Sequence, residues 1–269
     1  QRQMCIRDRK KGVFEILTQA GPTRGQALLQ WLGTTPTFSI VADSTWGENP
    51  RVGPRNLVDG NATSPWRSGN DITATGGSVL LSMKWTVPRT ISSLRLVRGD
   101  GDAQPTDLVV YAGSEARGAV IDADGNAAFA PVTTDSLSLR INYAPVERSD
   151  RTRSTQMGFT SLDIPAIADL YPGPLDRSTP YSVACGSGPS ISIGGTITSF
   201  SVTTTAGSLI DGKPIELTPC RGTSVDLGPG STLLDASSGG SLVTINRIVI
   251  GNKPTMAPPA GTARSVTPD

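Results

Sequence analysis

The amino-acid sequence predicts an all-β fold built from antiparallel strands. The chain has 269 residues with 30 glycines and 21 prolines, a composition that favours many turns over long helices. Apolar residues recur with a period of two in one short segment after another, as expected of strands with one buried face. Asp-Gly and Gly-Gly pairs, which favour tight hairpins, separate several of these segments. We therefore predict a β-sandwich followed by a second, smaller β domain.

The sandwich is expected over residues 36–168. Within "SVLLSMKWTV" the alternation puts Leu81, Met83, Trp85 and Val87 on one face, and Asp124-Gly125 predicts a hairpin. Seven or eight short strands in one segment of this length are typical of an antiparallel sandwich. The predicted strand regions are 37–43, 78–87, 91–99, 106–113, 120–132, 136–145 and 157–167.

The smaller β domain is expected over residues 181–252. Gly194-Gly195 and Asp211-Gly212 each predict a hairpin between apolar segments, and "SLVTINRIVIG" predicts the last strand. Cys185 and Cys220 flank a compact β segment, which suggests a disulfide in an oxidising compartment, while the alternative is two buried thiols.

The remaining segments are interpreted as connections. Residues 1–9, "QRQMCIRDR", lack the apolar core of a signal peptide and look like a translated sequencing-adapter artefact. We exclude them from the fold prediction and expect the natural N-terminus to be missing. Residues 10–35 are expected to form a connector, with a helical turn ending at Gly33. Residues 169–180 are predicted to be a linker and residues 253–269 a disordered, proline-rich tail.

Composition excludes several function classes. The sequence contains no histidine, so a Ser-His-Asp or Cys-His centre and the commonest zinc ligand are excluded within this chain. The formal net charge of +1 predicts no basic face for nucleic acid. Because no run of 18 apolar residues occurs, the chain itself is not expected to span a membrane. The sequence thus predicts a piece without a catalytic centre of its own.

The loop "DGNATSPW", residues 59–66, is a candidate cation site. Asp59, Asn61 and Ser64 place hard oxygen atoms in one tight turn, and oxygen ligands of this kind suit Ca²⁺. The alternative is a network of Asx turns that only shapes the loop. A structural Ca²⁺ is the one cofactor that the sequence suggests.

The same loop resembles that of the discoidin-like, galactose-binding-like β-sandwich modules. Asp59, Gly60 and Trp66 match the spacing of that family, whereas its threonine falls on Ser64. The segments "CGSGPSISIGG", "TTTAGSLIDGKPIELTPC" and "INRIVI" further resemble the C-terminal extracytoplasmic region of the AftD-type α-(1→3)-arabinofuranosyltransferase family of actinobacteria. This resemblance covers about residues 34–252, both β units in order.

The resemblance implies a jelly-roll sandwich and a role in binding carbohydrate. Members of that family are large membrane glycosyltransferases that act in cell-wall arabinan synthesis, in arabinogalactan or lipoarabinomannan. Their catalytic site lies in an N-terminal membrane part, and β-sandwich carbohydrate-binding modules lie on the extracytoplasmic side. The implied partners of this chain are a cell-wall arabinan and the membrane domain of its own parent polypeptide, and its implied location is extracytoplasmic.

The candidate sugar-binding residues are chosen around an aromatic ring. Trp85 is expected in the core, and Trp66 is interpreted as an anchor under its loop, with sugar contact as the alternative. Trp46 lies in a loop without strand periodicity, where an exposed ring could stack on a sugar. Its polar neighbours could bind the hydroxyl groups. The complete predicted set is Trp46, Glu48, Asn49, Arg51, Arg67 and Asn70.

Two other functional interpretations remain open. A module of a secreted glycoside hydrolase would need two carboxylates across a cleft, for which Asp100 and Asp102 are the candidates, although they also suit a polar turn. A structural or assembly module without any ligand is the other alternative.

Overall fold

A computed structural model describes residues 2–8 (backbone only), 11–69, 77–99, 103–144, 156–252 and 254. Its strands pair in antiparallel fashion, within one nine-stranded and one seven-stranded sheet. The all-β prediction is therefore confirmed. The strands are β1 (Arg2–Asp8), β2 (Gly12–Pro22), β3 (Phe38–Ala42), β4 (Trp66–Arg67), β5 (Gly77–Arg98), β6 (Pro105–Ala112), β7 (Glu115–Val120), β8 (Asn126–Tyr143), β9 (Gly158–Asp163), β10 (Pro180–Val183), β11 (Ser190–Ile193), β12 (Thr196–Thr205), β13 (Ile215–Pro219), β14 (Ser224–Leu227), β15 (Gly230–Ser237) and β16 (Val243–Gly251).

The helical content is small. Helix α1 spans Gln26–Leu32 and ends at Gly33, as the sequence predicts, and helix α2 spans Ala206–Asp211. Four 3-10 helices follow the loops at Trp46–Glu48, Pro50–Val52, Pro54–Leu57 and Pro165–Leu170. In the described part of the chain, neither helix has the length and apolar character needed to cross a membrane.

The chain divides into two compact units. One is Arg24–Arg177, and the other combines the segment up to Thr23 with the segment from Ser178. The unit boundaries thus differ from the predicted 36–168 and 181–252, chiefly because the N-terminal segment belongs with the C-terminal one.

The first unit is a β-sandwich whose two layers share the long strands β5 and β8. Strand β3 pairs with β5 at Leu81–Trp85, and β6 pairs with β8 up to Tyr143, which gives a layer in the order β3-β5-β8-β6-β7. After register shifts, the far end of β5 pairs with β9 and β9 pairs with β4. Inward-facing residues of both layers form a single buried cluster. That shared cluster is the core that the period-two pattern predicts, except that Val87 is exposed, since the pairing of β5 with β8 shifts register between Lys84 and Arg89.

The second unit differs from the sequence prediction at residues 10–35, which were expected to form a connector. The first half of that segment is strand β2, which pairs with β13, β14 and β16. The buried face of β2 consists of Ile16, Thr18 and Ala20, so it alternates only weakly in hydrophobicity. Residues 2–8, excluded from the fold prediction, have the backbone of a strand along β15.

Two turn predictions of the second unit had different outcomes. Gly194 and Gly195, both with positive φ, join β11 and β12 in the predicted hairpin. The hairpin at Asp211-Gly212 is wrong, because Gly212 ends helix α2 in the left-handed conformation. Asp-Gly suits a helix end as well as a hairpin, since both need a positive φ. The predicted disulfide between Cys185 and Cys220 is confirmed.

Candidate functional site

Trp66 forms the base of the candidate site. It is fully buried, and its ring stacks on that of Phe159, the residue opposite it on β9, with 6.2 Å between the ring centroids. The indole Nε1 donates to Thr45 Oγ1 at 3.4 Å. The interpretation of Trp66 as an anchor agrees with this geometry, and Trp85, also buried, lies in the core as predicted.

Trp46 lies on the loop that Trp66 holds. Trp46 is 50% exposed. It is the one aromatic residue among the large apolar residues that are exposed in the described part of the chain. The next two residues, Gly47 and Glu48, have φ values of 56° and 50°. Glu48 is the one non-glycine residue with positive φ in the described part of the chain. Such strained backbone persists only where the surroundings fix it, and it concentrates at functional sites.

Backbone hydrogen bonds close this turn. Glu48 N donates to Thr45 O at 2.9 Å, and Asn49 N donates to Trp46 O at 3.0 Å. The Asn49 side chain accepts from Arg51 N at 3.1 Å and so begins the following 3-10 helix. The ring of Trp46 therefore projects from a short, fully bonded turn.

A second loop packs against this turn and brings Arg67 to the same end of the sandwich. Gly69 N donates to Ser44 Oγ at 3.2 Å, and a Cβ at Gly69 would lie 3.0 Å from Thr45 O. Ser68 N donates to Met157 O at 2.8 Å, and the Ser68 hydroxyl accepts from Met157 N at 3.1 Å. Ser68 is thereby tied to the residue before β9, and Gly69 links the Trp46 turn to the same segment.

Five of the six predicted sugar-binding residues thus lie on adjoining loops. Trp46, Glu48, Asn49 and Arg51 follow one another along the turn and the 3-10 helix after it, and Arg67 ends strand β4, two positions before Gly69. Arg51 and Arg67 have further contacts of their own. Asn70, like Asp100 and Asp102, lies outside the described residues.

Sequence reasoning missed three residues that hold this end together, namely Thr45, Arg55 and Asn56. Asn56 Nδ2 donates to Arg51 O at 2.8 Å and to Pro65 O at 3.1 Å, so it joins the two loops. Arg55 donates through Nη1 to Leu32 O at 3.0 Å and through Nη2 to Gly173 O at 3.2 Å. Burial lowers the pKa of Arg55, and nearby Asp59 partly offsets this shift. A polar residue in a polar segment gives no periodic signal, so none of the three could be found from the sequence pattern alone.

The Asp59 loop is closed by its own hydrogen bonds. The Asp59 carboxylate accepts from Asn61 N at 2.8 Å, and Asn61 Oδ1 accepts from the backbone N and the hydroxyl of Thr63. Asn61 Nδ2 donates to Ser64 Oγ at 3.1 Å. Burial raises the pKa of Asp59 above its usual 3.8, against the opposing effects of Asn61 N and Arg55.

These residues do not fit a Ca²⁺ site as they stand. The loop supplies one carboxylate, and its other oxygens already serve hydrogen bonds within the loop, whereas Ca²⁺ prefers six to eight oxygen ligands. The described residues contain no group of three or more acidic, cysteine or histidine side chains suited to a metal. The geometry is that of the Asx-turn network, and melting with and without Ca²⁺ tests the structural ion that the sequence suggests.

Two known proteins that share one name are similar to this chain in sequence. The chain is 29% identical over 203 residues to an α-(1→3)-arabinofuranosyltransferase of Mycolicibacterium smegmatis, a match that covers 69% of the chain. It is 24% identical over 202 residues to the protein of that name from Mycobacterium tuberculosis. The matched segments amount to 14% of either relative. No family model matches the chain.

A solved structure agrees with this relationship. The cryo-EM structure of the arabinofuranosyltransferase AftD from mycobacteria superposes on 94% of this chain with a TM-score of 0.63 and 20% identity, and the chain corresponds to 20% of that structure. A second structure, of its R1389S mutant, gives a TM-score of 0.66. The fold of this chain is thus found within AftD, and the chain is homologous, over 69% of its length, to a region of the AftD arabinofuranosyltransferases.

Proposed function

We propose that this chain is a non-catalytic region that binds and positions a glycan for an arabinofuranosyltransferase of which it forms part. The ligand is cell-wall arabinan, and the region lies on the extracytoplasmic side, attached to the membrane through other parts of its parent polypeptide. The observation that carries the proposal is the half-exposed Trp46, held on a hydrogen-bonded turn at one end of the sandwich.

The chemistry of this surface suits a sugar. The C–H groups of a sugar ring stack on an aromatic face, while its hydroxyls both donate and accept hydrogen bonds. Glu48 supplies an acceptor and Arg51 and Arg67 supply donors, on the turn that carries Trp46, the 3-10 helix after it and strand β4 respectively. Because hydrogen bonds fix the turn before binding, little conformational entropy is lost when a ligand binds.

Catalysis is assigned to the rest of the parent protein. The sequence lacks histidine, and the described residues hold no group of three or more acidic or cysteine side chains suited to a metal ion. The two related arabinofuranosyltransferases are about seven times as long as the segment that matches this chain. Most of each relative therefore lies outside the matched region. The partner of this region is accordingly the membrane domain of the same polypeptide.

Isothermal titration of the chain with arabinan oligosaccharides tests the proposal. We expect binding in the micromolar to millimolar range, and loss of at least about 1 kcal/mol of binding free energy in Trp46→Ala, as expected for an aromatic anchor. Xylan oligosaccharides serve as the control ligand. The alternative of a structural module without ligand predicts no heat with any glycan at millimolar concentration.

The hydrolase alternative has its own test. It predicts cleavage of arabinan that disappears in Asp100→Asn or Asp102→Asn. We expect no released sugar from the unmodified chain in a reducing-end assay, and cleavage that depends on either residue would overturn the non-catalytic assignment.

A further inference from the structure

A polar cleft on the same sandwich unit is lined by residues outside the Trp46 turn. It has a volume of about 270 Å³, near the lower limit for small-molecule pockets. Its walls are the end of β5 (Arg95–Arg98), the start of β6 (Gln104 and Pro105) and the turn between β7 and β8 (Ile121–Gly125). None of these residues belongs to the Trp46 turn or to strand β4, which carries Arg67.

The turn that forms one wall is fixed against β5. Leu96 N donates to Gly125 O at 2.9 Å, and Gly125 has a φ of 84°. A Cβ on Gly125 would lie 2.0 Å from Leu96 O, so only glycine allows the turn to approach the strand this closely. Arg95 Nε donates to Asp124 O at 3.2 Å and holds the turn from the other side.

The same turn is also rigid within itself. The Asp122 carboxylate accepts from Asp124 N at 3.0 Å and from Asn126 N at 2.8 Å. Hydrogen bonds from the Asn126 side chain and, to a smaller extent, from the Asn126 backbone lower the pKa of Asp122. The cleft is therefore formed before any ligand arrives, which reduces the entropic cost of binding.

The lining suits a neutral polyhydroxylated ring. The floor is apolar, with Leu96 and Ile121 buried, while charged or amide side chains surround it. Among the described lining residues, two are arginines (Arg95 and Arg98) and two are aspartates (Asp122 and Asp124), so the formal charges of the described lining cancel. Guanidinium groups donate and carboxylates accept, and a sugar hydroxyl can do both, whereas an anion would use the donors alone.

We propose that this cleft is a second sugar subsite, which takes one neutral monosaccharide unit. A chain of sugars that contacts both this cleft and the Trp46 turn, or two chains bound separately, would bind with higher avidity than one site provides. The inference rests on the proposed function only for the choice of arabinose as the probe.

Residue-resolved NMR of the full chain, titrated with methyl α-arabinofuranoside, tests the proposal. We expect saturable shifts of the backbone amides of Ala123, Asp124 and Gly125 that persist in Trp46→Ala. Ala123→Trp, a substitution at an exposed position that lines the cleft, should fill it and abolish these shifts. Ala116→Trp, exposed on β7 and outside the cleft, is the matched control and should leave them unchanged. Arg95→Gln should weaken the affinity about fivefold, as expected for one lost hydrogen bond.

The possible outcomes separate this inference from the proposed function. Shifts confined to the Trp46 turn, or cleft shifts unaffected by Ala123→Trp, overturn the second subsite and leave the first intact. Shifts confined to the cleft support the second subsite and contradict the Trp46 site. If glucuronate shifts the cleft amides and the neutral arabinoside does not, the assignment to a neutral sugar is wrong.

Discussion

Two tryptophans twenty positions apart meet opposite environments in this sandwich. Trp66 is fully buried against Phe159, whereas half of the Trp46 surface faces solvent. A single threonine, Thr45, links them: its hydroxyl accepts from the Trp66 indole, and its carbonyl accepts from the turn that carries Trp46. The comparison shows how one aromatic residue can stabilise a loop so that another can stay exposed on it.

The largest expected effect is on the buried member of the pair. Trp66→Ala removes a fully buried indole and its stacking on Phe159, and should lower the free energy of unfolding by about 3–5 kcal/mol. Trp46→Ala should change it by no more than about 0.5 kcal/mol, because the residue is exposed. Urea unfolding of both variants measures the difference, and equal losses would break the comparison.

The link between the two tryptophans comes next. Thr45→Val leaves the buried Trp66 Nε1 without its acceptor and should cost about 1–2 kcal/mol in urea unfolding. Thr45→Ser keeps the hydroxyl and serves as the control. If serine and valine destabilise equally, the hydrogen bond does not contribute to holding the loop.

The strained turn should give a smaller effect. Gly47→Ala puts a Cβ on a residue with a φ of 56°, where no heavy atom lies within 4 Å, so its cost of about 1 kcal/mol arises from backbone strain alone. Glu48→Gly, which relieves strain at the neighbouring position, should raise the melting temperature instead. Calorimetry measures both melting temperatures. If they change in the same direction in the two variants, the turn is not strained.

The Asp59 loop sharpens the comparison through pH. Burial raises the pKa of Asp59 in the folded state, so the folded protein binds this proton more tightly than the unfolded chain does. The carboxyl therefore contributes most favourably below its usual pKa of 3.8, and that contribution is lost as the pH rises through the raised value. The free energy of unfolding of Asp59→Asn, relative to that of the unsubstituted chain, should therefore increase as the pH rises from acidic to neutral. Urea unfolding at several pH values measures this difference. A difference that does not change with pH would contradict the shift.

Ca²⁺ should have the smallest effect. Since the oxygens of the Asp59 loop are engaged in hydrogen bonds, neither EDTA nor added Ca²⁺ should move the melting temperature. A rise with Ca²⁺ that Asp59→Asn abolishes would show that the loop rearranges to bind the ion, as the sequence alone allows.

The sequence predicted those features that depend on local pattern. Period-two alternation identified the strands around Leu81 and Leu139, and the Gly194-Gly195 pair predicted its hairpin. The lack of periodicity around Trp46 indicated an exposed ring. Strand β2 was missed because threonine and alanine dilute its buried face and because its partner β16 lies more than 200 positions along the chain. The left-handed Glu48 has no sequence signal either, since its conformation is imposed by the hydrogen bonds around it.

Titration of three proteins with the same arabinan oligosaccharide tests the central claim most directly. Binding to the unsubstituted chain should be retained, though weakened, in Trp46→Phe, because a smaller ring still stacks, and should be weakest in Trp46→Ala. All three proteins should melt at nearly the same temperature. Equal affinities of the three, or no binding to the unsubstituted chain at millimolar oligosaccharide, would contradict a glycan site at Trp46.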